Sequence, residues 1–306
     1  MDFREVGKRL SNWGRWGKDD RIGTLNHITD ARRAAAGKLI RTGKLFELGL
    51  PVQSQGIQRG GGIRTNPLHL MSLTPLDLRG NASGAIITDD YIIMPLQSVT
   101  QWDGLAHFGY DGFFYNGTPA DTVTTLGGSA VLSIHQIAEK GIAARGVLLD
   151  IARLKGVDRL ESGYAITPDD LEAAEKAQGV KVGPGAVLLV RTGWIRHFIV
   201  DKAIDKYWEG EPGIHLSCAE WLHKRDVAAI CSDDWAVEVI EHGAPFGLPI
   251  HSVLIRDMGM TLGEIFVLED LAADCAKDGV YEFFFASPPL KVVSGVGSPI
   301  TPLAIK

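Results

Sequence analysis

The chain has 306 residues, of which 45% are hydrophobic and 22% are charged, and its net charge is −6. This size allows a large buried core, and the acidic balance argues against a nucleic-acid-binding surface, which needs clustered Lys and Arg. No stretch approaches the roughly 18 apolar residues of a membrane helix, and the first twenty residues lack the apolar segment of a signal peptide. We therefore expect a soluble cytoplasmic protein. The three cysteines show no paired spacing and predict buried thiols.

The first third of the chain predicts a few short elements separated by turns. Thr29 is a good N-cap for a helix that runs toward Gly43. The apolar stretches 85–88 and 91–96 flank a pair of aspartates, and this pattern predicts a β-hairpin. Residues 133–142 have the composition of a helix.

The second half alternates apolar strands with helices. Unbroken apolar runs predict buried strands at 146–150, 186–192 and 227–232, and residues 280–286 predict an aromatic-rich strand. Helices are predicted to begin near residues 168, 217 and 268. The sequence therefore indicates an α/β or α+β fold over residues 1–306, as a single domain with a central mixed β-sheet flanked by helices. A glycine-rich phosphate-binding turn between a strand and a helix is missing from this pattern.

Four polar residues cluster in the segment 97–107. Gln97, Gln101, Asp103 and His107 are all odd-numbered, so in an extended chain their side chains would project to one side. In a helix, Asp103 and His107 would still meet because they are four residues apart. Such a cluster can bind a divalent cation or position a proton-transferring pair. A hydrogen-bonded loop without catalytic function is the alternative.

The same segment resembles the signature of the kynurenine formamidase-like cyclase family, His-x-Gly-Thr-His-x-Asp-x-Pro-x-His. Thr100, Asp103 and His107 match it, whereas Gln97 and Gln101 stand where the first two histidines are found. The segment is similar to a variant branch of the family that has Gln-x-x-Thr-Gln-Trp-Asp-Gly. Further segments with the same resemblance are 20–26, 115–117, 145–150, 190–194, 248–251, 263–264 and 297–299.

The resemblance implies a barrel-like core and one or two divalent metals that activate a water to attack an amide or ester carbonyl. Asp103 would be a ligand and take part in catalysis, His251 and Glu264 would be the distal ligands, and His107 would be the general acid/base. The stretch from His251 to Glu264 is one residue longer than expected, which leaves Glu264 open between ligand and helix-capping roles. The resemblance also implies a homodimer or homotetramer.

The two glutamines bear on the choice of metal. Gln97 and Gln101 would offer amide oxygens in place of imidazole nitrogens, and an oxygen-rich set of ligands favours Mn²⁺ over Zn²⁺. Since amide oxygens also weaken such a site, a metal-free branch stays open as the alternative.

Other residues are candidates for contacts with a substrate, namely Trp13, Trp16, Arg64, His69, His215 and Asp234. The two tryptophans suit either a planar substrate or a subunit boundary, and the basic side chains suit an anionic group. We expect a metal-dependent hydrolase that opens a small cyclic amide, a lactone or an N-acyl aromatic compound. A metal-free, ligand-binding or lyase-like member of the same family is the alternative.

Overall fold

The computed structural model describes residues 2–60, 62–243 and 247–306, and its largest element is a nine-stranded β-sheet. The helices are α1 Phe3–Leu10, α2 Asp30–Gly37, α3 Ile134–Lys140, α4 Ile151–Leu154, α5 Pro168–Gln178, α6 Arg196–Ile199, α7 Ile204–Tyr207, α8 Cys218–Lys224, α9 Pro249–His251 and α10 Glu269–Asp278. The strands are β1 Leu45–Glu47, β2 Leu68–Leu73, β3 Asp89–Ile93, β4 Gln101–Asp103, β5 Val123–Thr124, β6 Gly128–Ser129, β7 Ala143–Asp150, β8 Ala165–Ile166, β9 Val187–Arg191, β10 Gly213–Ile214, β11 Ala229–Ser232, β12 Thr261–Glu264, β13 Glu282–Ala286, β14 Gly297–Pro299 and β15 Leu303–Ile305.

The large sheet is mixed and has the order β1-β15-β13-β7-β9-β11-β12-β4-β14. Strands β7, β9, β11 and β12 are parallel to their neighbours in the centre, and the outer strands pair antiparallel. The sheet curls into a half-barrel with helices against it, so the predicted mixed sheet with a barrel-like core is confirmed. Within the described ranges, no helix has the length and apolar character needed to cross a membrane.

Most of the predicted elements in the second half are present. The strands β7, β9 and β11 are fully or almost fully buried, as the apolar runs predict. Helix α5 begins at Pro168, where a helix start is predicted, and Thr167 and Asp170 form a capping box before it. Thr29 caps α2 through a hydrogen bond from the backbone N–H of Arg32, but the helix ends at Gly37 instead of near Gly43.

The predicted hairpin around residues 89 and 90 is wrong. Asp89 and Asp90 begin strand β3, and β3 pairs antiparallel with β2 instead of with residues 85–88. The carboxylate of Asp90 is 2.6 Å from His69 Nε2 on the neighbouring strand. This contact between neighbouring strands stabilises Asp90 within an exposed strand, although aspartate is more common in turns.

Tight packing across the sheet depends on two glycines. Trp102 on β4 is fully buried between Phe266 and Phe285, and Gly263 on the neighbouring strand leaves room for its ring. On β13, the ring of Phe283 lies over Gly146 of β7, which is its partner in the strand pairing. A side chain at either glycine would overlap an aromatic ring in the core.

A π-helix, Ser252–Asp257, follows α9 directly. A π-helix has wider turns than an α-helix because its hydrogen bonds join residues i and i+5, and such turns are frequent at functional sites. This segment leads from His251 into β12, which ends at Glu264.

The glycine at position 146 provides a test of core packing. Gly146→Ala would place a methyl group within 2.3 Å of the Phe283 ring, so we expect a loss of about 1–3 kcal/mol in the free energy of unfolding. Urea denaturation would measure this loss. The control is Gly37→Ala, at the exposed end of α2, where a methyl group meets no atom within 4 Å. Equal stability of the two variants would contradict the proposed packing.

Candidate metal centre and pocket

Three side chains from distant parts of the sequence meet at one end of the sheet. Asp103 ends β4, Glu264 ends β12 and His251 ends α9. His251 Nε2 lies 3.2 Å from Glu264 Oε1 and 3.8 Å from Asp103 Oδ2. One possible ligand atom from each residue lies within 4.8 Å of the others, and all three residues are buried. The structure therefore brings together three of the residues predicted as metal ligands.

The antiparallel pairing of β4 with β12 positions the carboxylates. Gln101 is directly opposite Glu264, and its amide Nε2 donates a 2.6 Å hydrogen bond to Glu264 Oε2. Because alternate residues of a strand share a face, Gln101 and Asp103 project to the same side. Gln101 Oε1 and both carboxylate oxygens of Asp103 are buried without a hydrogen-bond partner in the described structure.

This set of unpaired atoms fits a divalent cation. A buried carboxylate without a donor is costly, and such a group calls for an explanation such as a bound ion. An oxygen of Asp103, an oxygen of Glu264 and a ring nitrogen of His251 lie within 4.8 Å of one another, and Gln101, with its unpaired amide oxygen, is hydrogen-bonded to Glu264. They are ligands suited to a divalent metal with a mixed oxygen and nitrogen shell.

Glu238 fixes the orientation of His251. Its carboxylate accepts hydrogen bonds from the backbone N–H groups of Ile250 and His251 and lies 2.6 Å from His251 Nδ1. The imidazole therefore presents Nε2 to Asp103 and Glu264, as in carboxylate–histidine–metal arrangements. Burial opposes protonation of this ring, but the hydrogen bonds to Glu238 and Glu264 outweigh it and raise the pKa of His251 to about 10.

Glu264 is also perturbed by its surroundings. Burial, followed by the nearby carboxylate of Asp103, raises the pKa of Glu264 to about 7. In the absence of a cation the cluster thus tends to hold protons, which a metal would replace.

His107 lies in the turn after β4, at the edge of the cluster. Its Nε2 is 3.7 Å from Asp103 Oδ1, which is too long for a hydrogen bond but close enough for electrostatic attraction. Burial lowers the pKa of His107, so the neutral imidazole is favoured. A neutral imidazole beside a metal centre can accept a proton.

A cavity of about 340 Å³ opens onto this cluster. His107, His251 and Glu264 are among the residues that line it. The rings of Trp208 and Trp235, with centroids 5.2 Å apart, form an aromatic wall. The other lining residues are Gln58, Arg59, Gly60, Gly62, Ile63, Arg64, Ala236 and Leu248. The arginines add positive charge to a pocket that is otherwise largely apolar.

Of the residues predicted to contact a substrate, Arg64 lines this pocket and the two N-terminal tryptophans do not. Trp13 donates from Nε1 to the carbonyl of Arg256 and packs against its guanidinium, next to a different surface cavity. Trp16 lies edge-on against His27. Both rings therefore pack the N-terminal segment against the body of the chain.

The two other histidines predicted for the substrate are also away from the pocket. His69 is exposed on β2, where it pairs with Asp90. His215 is exposed, and its Nδ1 accepts a hydrogen bond from the backbone N–H of Ser217; the hydroxyl of Ser217 does not cap α8. Neither side chain is among those that line the cavity.

Asp234 and Gln97 have neighbours other than the metal cluster. The carboxylate of Asp234 accepts hydrogen bonds from the Ser232 hydroxyl and the backbone N–H of Val237, which is a structural role for the loop after β11. The amide of Gln97 lies over Gly297, whose lack of a side chain makes room for it, and its Nε2 has no partner among the described residues.

Some residues of the site were not predicted from the sequence. Glu238 lies in the apolar run 236–240, and a lone carboxylate in such a run was a usable signal. Gln58, Trp208 and Trp235 come from three separate segments, and no local pattern links them.

Other matching segments of the sequence have a structural role. The carboxylate of Asp20 accepts from the backbone N–H of Gly23 and from Tyr115. The amide of Asn116, at a positive φ of 55°, donates to the carbonyls of Gly17 and Lys18. The segments 20–26 and 115–117 therefore hold each other in place outside the metal cluster.

Comparison with known proteins places the chain in a family. Residues 30–239 match the sequence profile of the Cyclase family. The chain belongs to this family. The solved structure of a novel cyclase is 40% identical and superimposes with a TM-score of 0.89, covering 97% of this chain and 100% of that one. A comparison with curated proteins gives no significant match.

Two solved structures of this cyclase fold have assigned activities. Isatin hydrolase A from Ralstonia solanacearum is 21% identical, with a TM-score of 0.64 over 90% of this chain and 97% of its own. An isatin hydrolase bound to the product analogue thioisatinate is 18% identical, with a TM-score of 0.61 over 90% of this chain and 98% of its own. At these identities the similarity shows the shared fold.

The role of Glu238 can be tested by substitution. Glu238→Gln keeps the shape but weakens the hydrogen bond to His251, so we expect Mn²⁺ affinity to fall by about 10- to 100-fold. Isothermal titration calorimetry on chelator-treated protein would measure this. Glu241→Gln, three residues away and exposed, is the matched control and should bind like the wild type. Unchanged affinity in Glu238→Gln would mean that this carboxylate does not support the site.

Proposed function

We propose that this member of the Cyclase family is a metal-dependent hydrolase that opens a C–N or C–O bond in a small cyclic amide, lactone or N-acyl aromatic compound. The observation that carries the proposal is the buried carboxylate of Asp103, unpaired at both oxygens beside His251 and Glu264. His251 and Glu264 of this cluster line a pocket with an aromatic wall.

The metal would be held by Asp103, His251 and Glu264, with Gln101 as a further oxygen ligand. When bound, a divalent metal lowers the pKa of a water and polarises a substrate carbonyl. Oxygen donors predominate in this set, and we propose Mn²⁺ over Zn²⁺ for that reason. Glu238 keeps the Nε2 of His251 directed at the metal position.

His107 would transfer the proton in the reaction. Its neutral imidazole lies beside Asp103 and faces the pocket, so it can take a proton from the attacking water at Nε2. The same nitrogen then returns the proton to the leaving nitrogen or oxygen as the ring opens. Each turnover thus consumes one water and leaves His107 neutral again.

The pocket wall indicates the kind of substrate. Trp208 and Trp235 offer flat apolar surface for a planar ring, and Arg64 offers a charged donor for a carbonyl or carboxylate oxygen. Isatin is a planar cyclic amide of this kind, and proteins of the same fold are isatin hydrolases. Isatin and related aromatic lactams and lactones are therefore the first compounds to assay.

The role of the metal is tested by thermal melting after chelator treatment. We expect added Mn²⁺ to raise the melting temperature of the wild type, because a ligand that binds the folded state stabilises it. Asp103→Asn should lose this shift. Since the variant removes an unpaired buried charge, its metal-free form should melt no lower than metal-free wild type.

Asp121→Asn, an exposed substitution of the same kind, is the control and should keep the shift. Protein purified without chelators should contain Mn²⁺ rather than stoichiometric zinc. If neither metal raised the melting temperature, the second candidate would be favoured, a metal-free or lyase-like, ligand-binding member. Its specific support is that Glu264 already interacts with Gln101 and His251.

The proposed proton transfer is tested at His107. In His107→Gln we expect turnover of a hydrolysed substrate to fall by about 10²- to 10⁴-fold, because general acid/base catalysis contributes factors of this size. Mn²⁺ affinity should change by only a few-fold, since His107 is not among the proposed ligands. His242→Gln, on an exposed loop, should retain wild-type turnover. Full activity in His107→Gln would exclude the assigned role.

A further inference from the structure

The loop after β11 carries residues of both the pocket and the metal centre. We define the wall loop as residues 233–238, which directly follow that strand. Trp235 and Ala236 of this loop line the cavity. Glu238, at its end, lies 2.6 Å from Nδ1 of the proposed metal ligand His251. One short loop therefore positions part of the aromatic wall and also supports the metal centre.

The backbone of the wall loop is strained. Val237 has a φ of 62°, a left-handed conformation that is costly for a β-branched residue. The backbone N–H of Glu238 donates a 2.6 Å hydrogen bond to the carbonyl of Ala236, which makes Val237 the central residue of a γ-turn. Such strain persists only where the surrounding contacts hold it in place. The wall loop therefore depends on contacts with other parts of the chain.

Glu211 provides one of these contacts from outside the wall loop. Its side chain is fully buried, and its Oε2 accepts a 2.7 Å hydrogen bond from the backbone N–H of Trp235. The backbone of Glu211 pairs with Ile240, just beyond the loop. Burial, followed by the charge of Asp234, raises the pKa of Glu211 well above its usual range, so the neutral carboxyl group is favoured. Burying a carboxyl group is costly, and its retention here calls for an explanation.

Trp208 completes the aromatic wall. Its ring centroid lies 5.2 Å from that of Trp235, with an angle of 35° between the two ring planes. The indole Nε1 of Trp208 donates a 2.8 Å hydrogen bond to the carbonyl of Ile57. By contrast, Nε1 of Trp235 has no hydrogen-bond partner in the described structure. The position of Trp235 therefore depends on packing and on its backbone, which is bonded to Glu211.

We propose that Glu211 is a positioning residue that fixes Trp235 in the aromatic wall and thereby favours planar substrates. This inference rests on the proposed function, because the wall belongs to the pocket assigned to the substrate. Glu211 acts through the backbone of Trp235 and is not among the proposed metal ligands. Its loss should therefore weaken binding of a planar ring and leave metal binding and proton transfer at His107 largely unchanged.

Circular dichroism reports the position of Trp235 without any ligand. Two tryptophan rings in contact give an exciton couplet in the far-ultraviolet spectrum, and Trp208 and Trp235 are the one such pair among the described residues. Subtraction of the spectrum of Trp235→Phe isolates this couplet. We expect Glu211→Met, which keeps the size of the side chain but removes the acceptor oxygen, to lose most of the couplet. Glu211→Gln keeps an acceptor oxygen and should retain it.

The control is Glu241→Met, on an exposed segment, which should keep the couplet. Urea denaturation would show that each variant is folded, and Glu211→Ala is a second variant without the acceptor. A couplet of wild-type size in folded Glu211→Met or Glu211→Ala would overturn the proposal. Loss of the couplet in Glu211→Gln would overturn the role assigned to the hydrogen bond.

Enzyme kinetics separates the role of Glu211 from the proposed function. With isatin or another planar lactam that the wild type hydrolyses, we expect Glu211→Met to raise KM about tenfold and to change kcat by only a few-fold. Mn²⁺ affinity should also stay within a few-fold of the wild type. A fall in kcat at unchanged KM would contradict a positioning role. If the wild type hydrolysed no such compound, the proposed function would fail, whereas the dichroism spectra would still decide whether Glu211 fixes Trp235.

Discussion

The pairing of β4 with β12 is the constraint on which the site depends. Its register places Gln101 opposite Glu264 and puts Asp103 on the same face, so the side chains of the cluster project from adjacent strands. On the other face of the same pair, Gly263 makes room for the ring of Trp102. The face of the strand pair that carries Trp102 packs into the core. The opposite face carries the polar side chains of the site. A slip by one residue would exchange the two faces.

The buried charges of this cluster are unfavourable unless a positive charge compensates them. Asp103, Glu238 and Glu264 are all buried within reach of a single imidazole, that of His251. Burial, followed by the nearby carboxylate of Asp103, raises the pKa of Glu264 and favours its protonation. The cluster therefore has an excess of negative charge that favours binding of a proton or a cation. The raised pKa values of His251 and Glu264 reflect this excess. Burying these carboxylates lowers the folding stability of the metal-free chain and favours binding of a cation.

The sequence predicted the central strands, and it named Asp103, His251 and Glu264, which the structure brings together, because local patterns or a distinctive motif encode them. Buried strands such as β9 are continuous apolar runs, and Asp103 and His107 belong to one recognisable segment. The aromatic wall could not be predicted, because Trp208 and Trp235 meet only through the tertiary fold. The hairpin prediction was wrong because it paired residues 85–88 with β3 on the basis of their closeness in sequence. In the structure, β3 forms its hydrogen bonds with β2 instead.

The π-helix between His251 and Glu264 affects how relatives of this protein should be recognised. A π-helix has more residues per turn than an α-helix. An extra residue can therefore be accommodated as a local bulge without shifting the two ends of the segment. The resemblance implies that this interval is one residue longer than expected, and the imidazole of His251 lies 3.2 Å from the Glu264 carboxylate. Searches that demand a fixed interval between these two positions would therefore overlook proteins with the same three-dimensional arrangement.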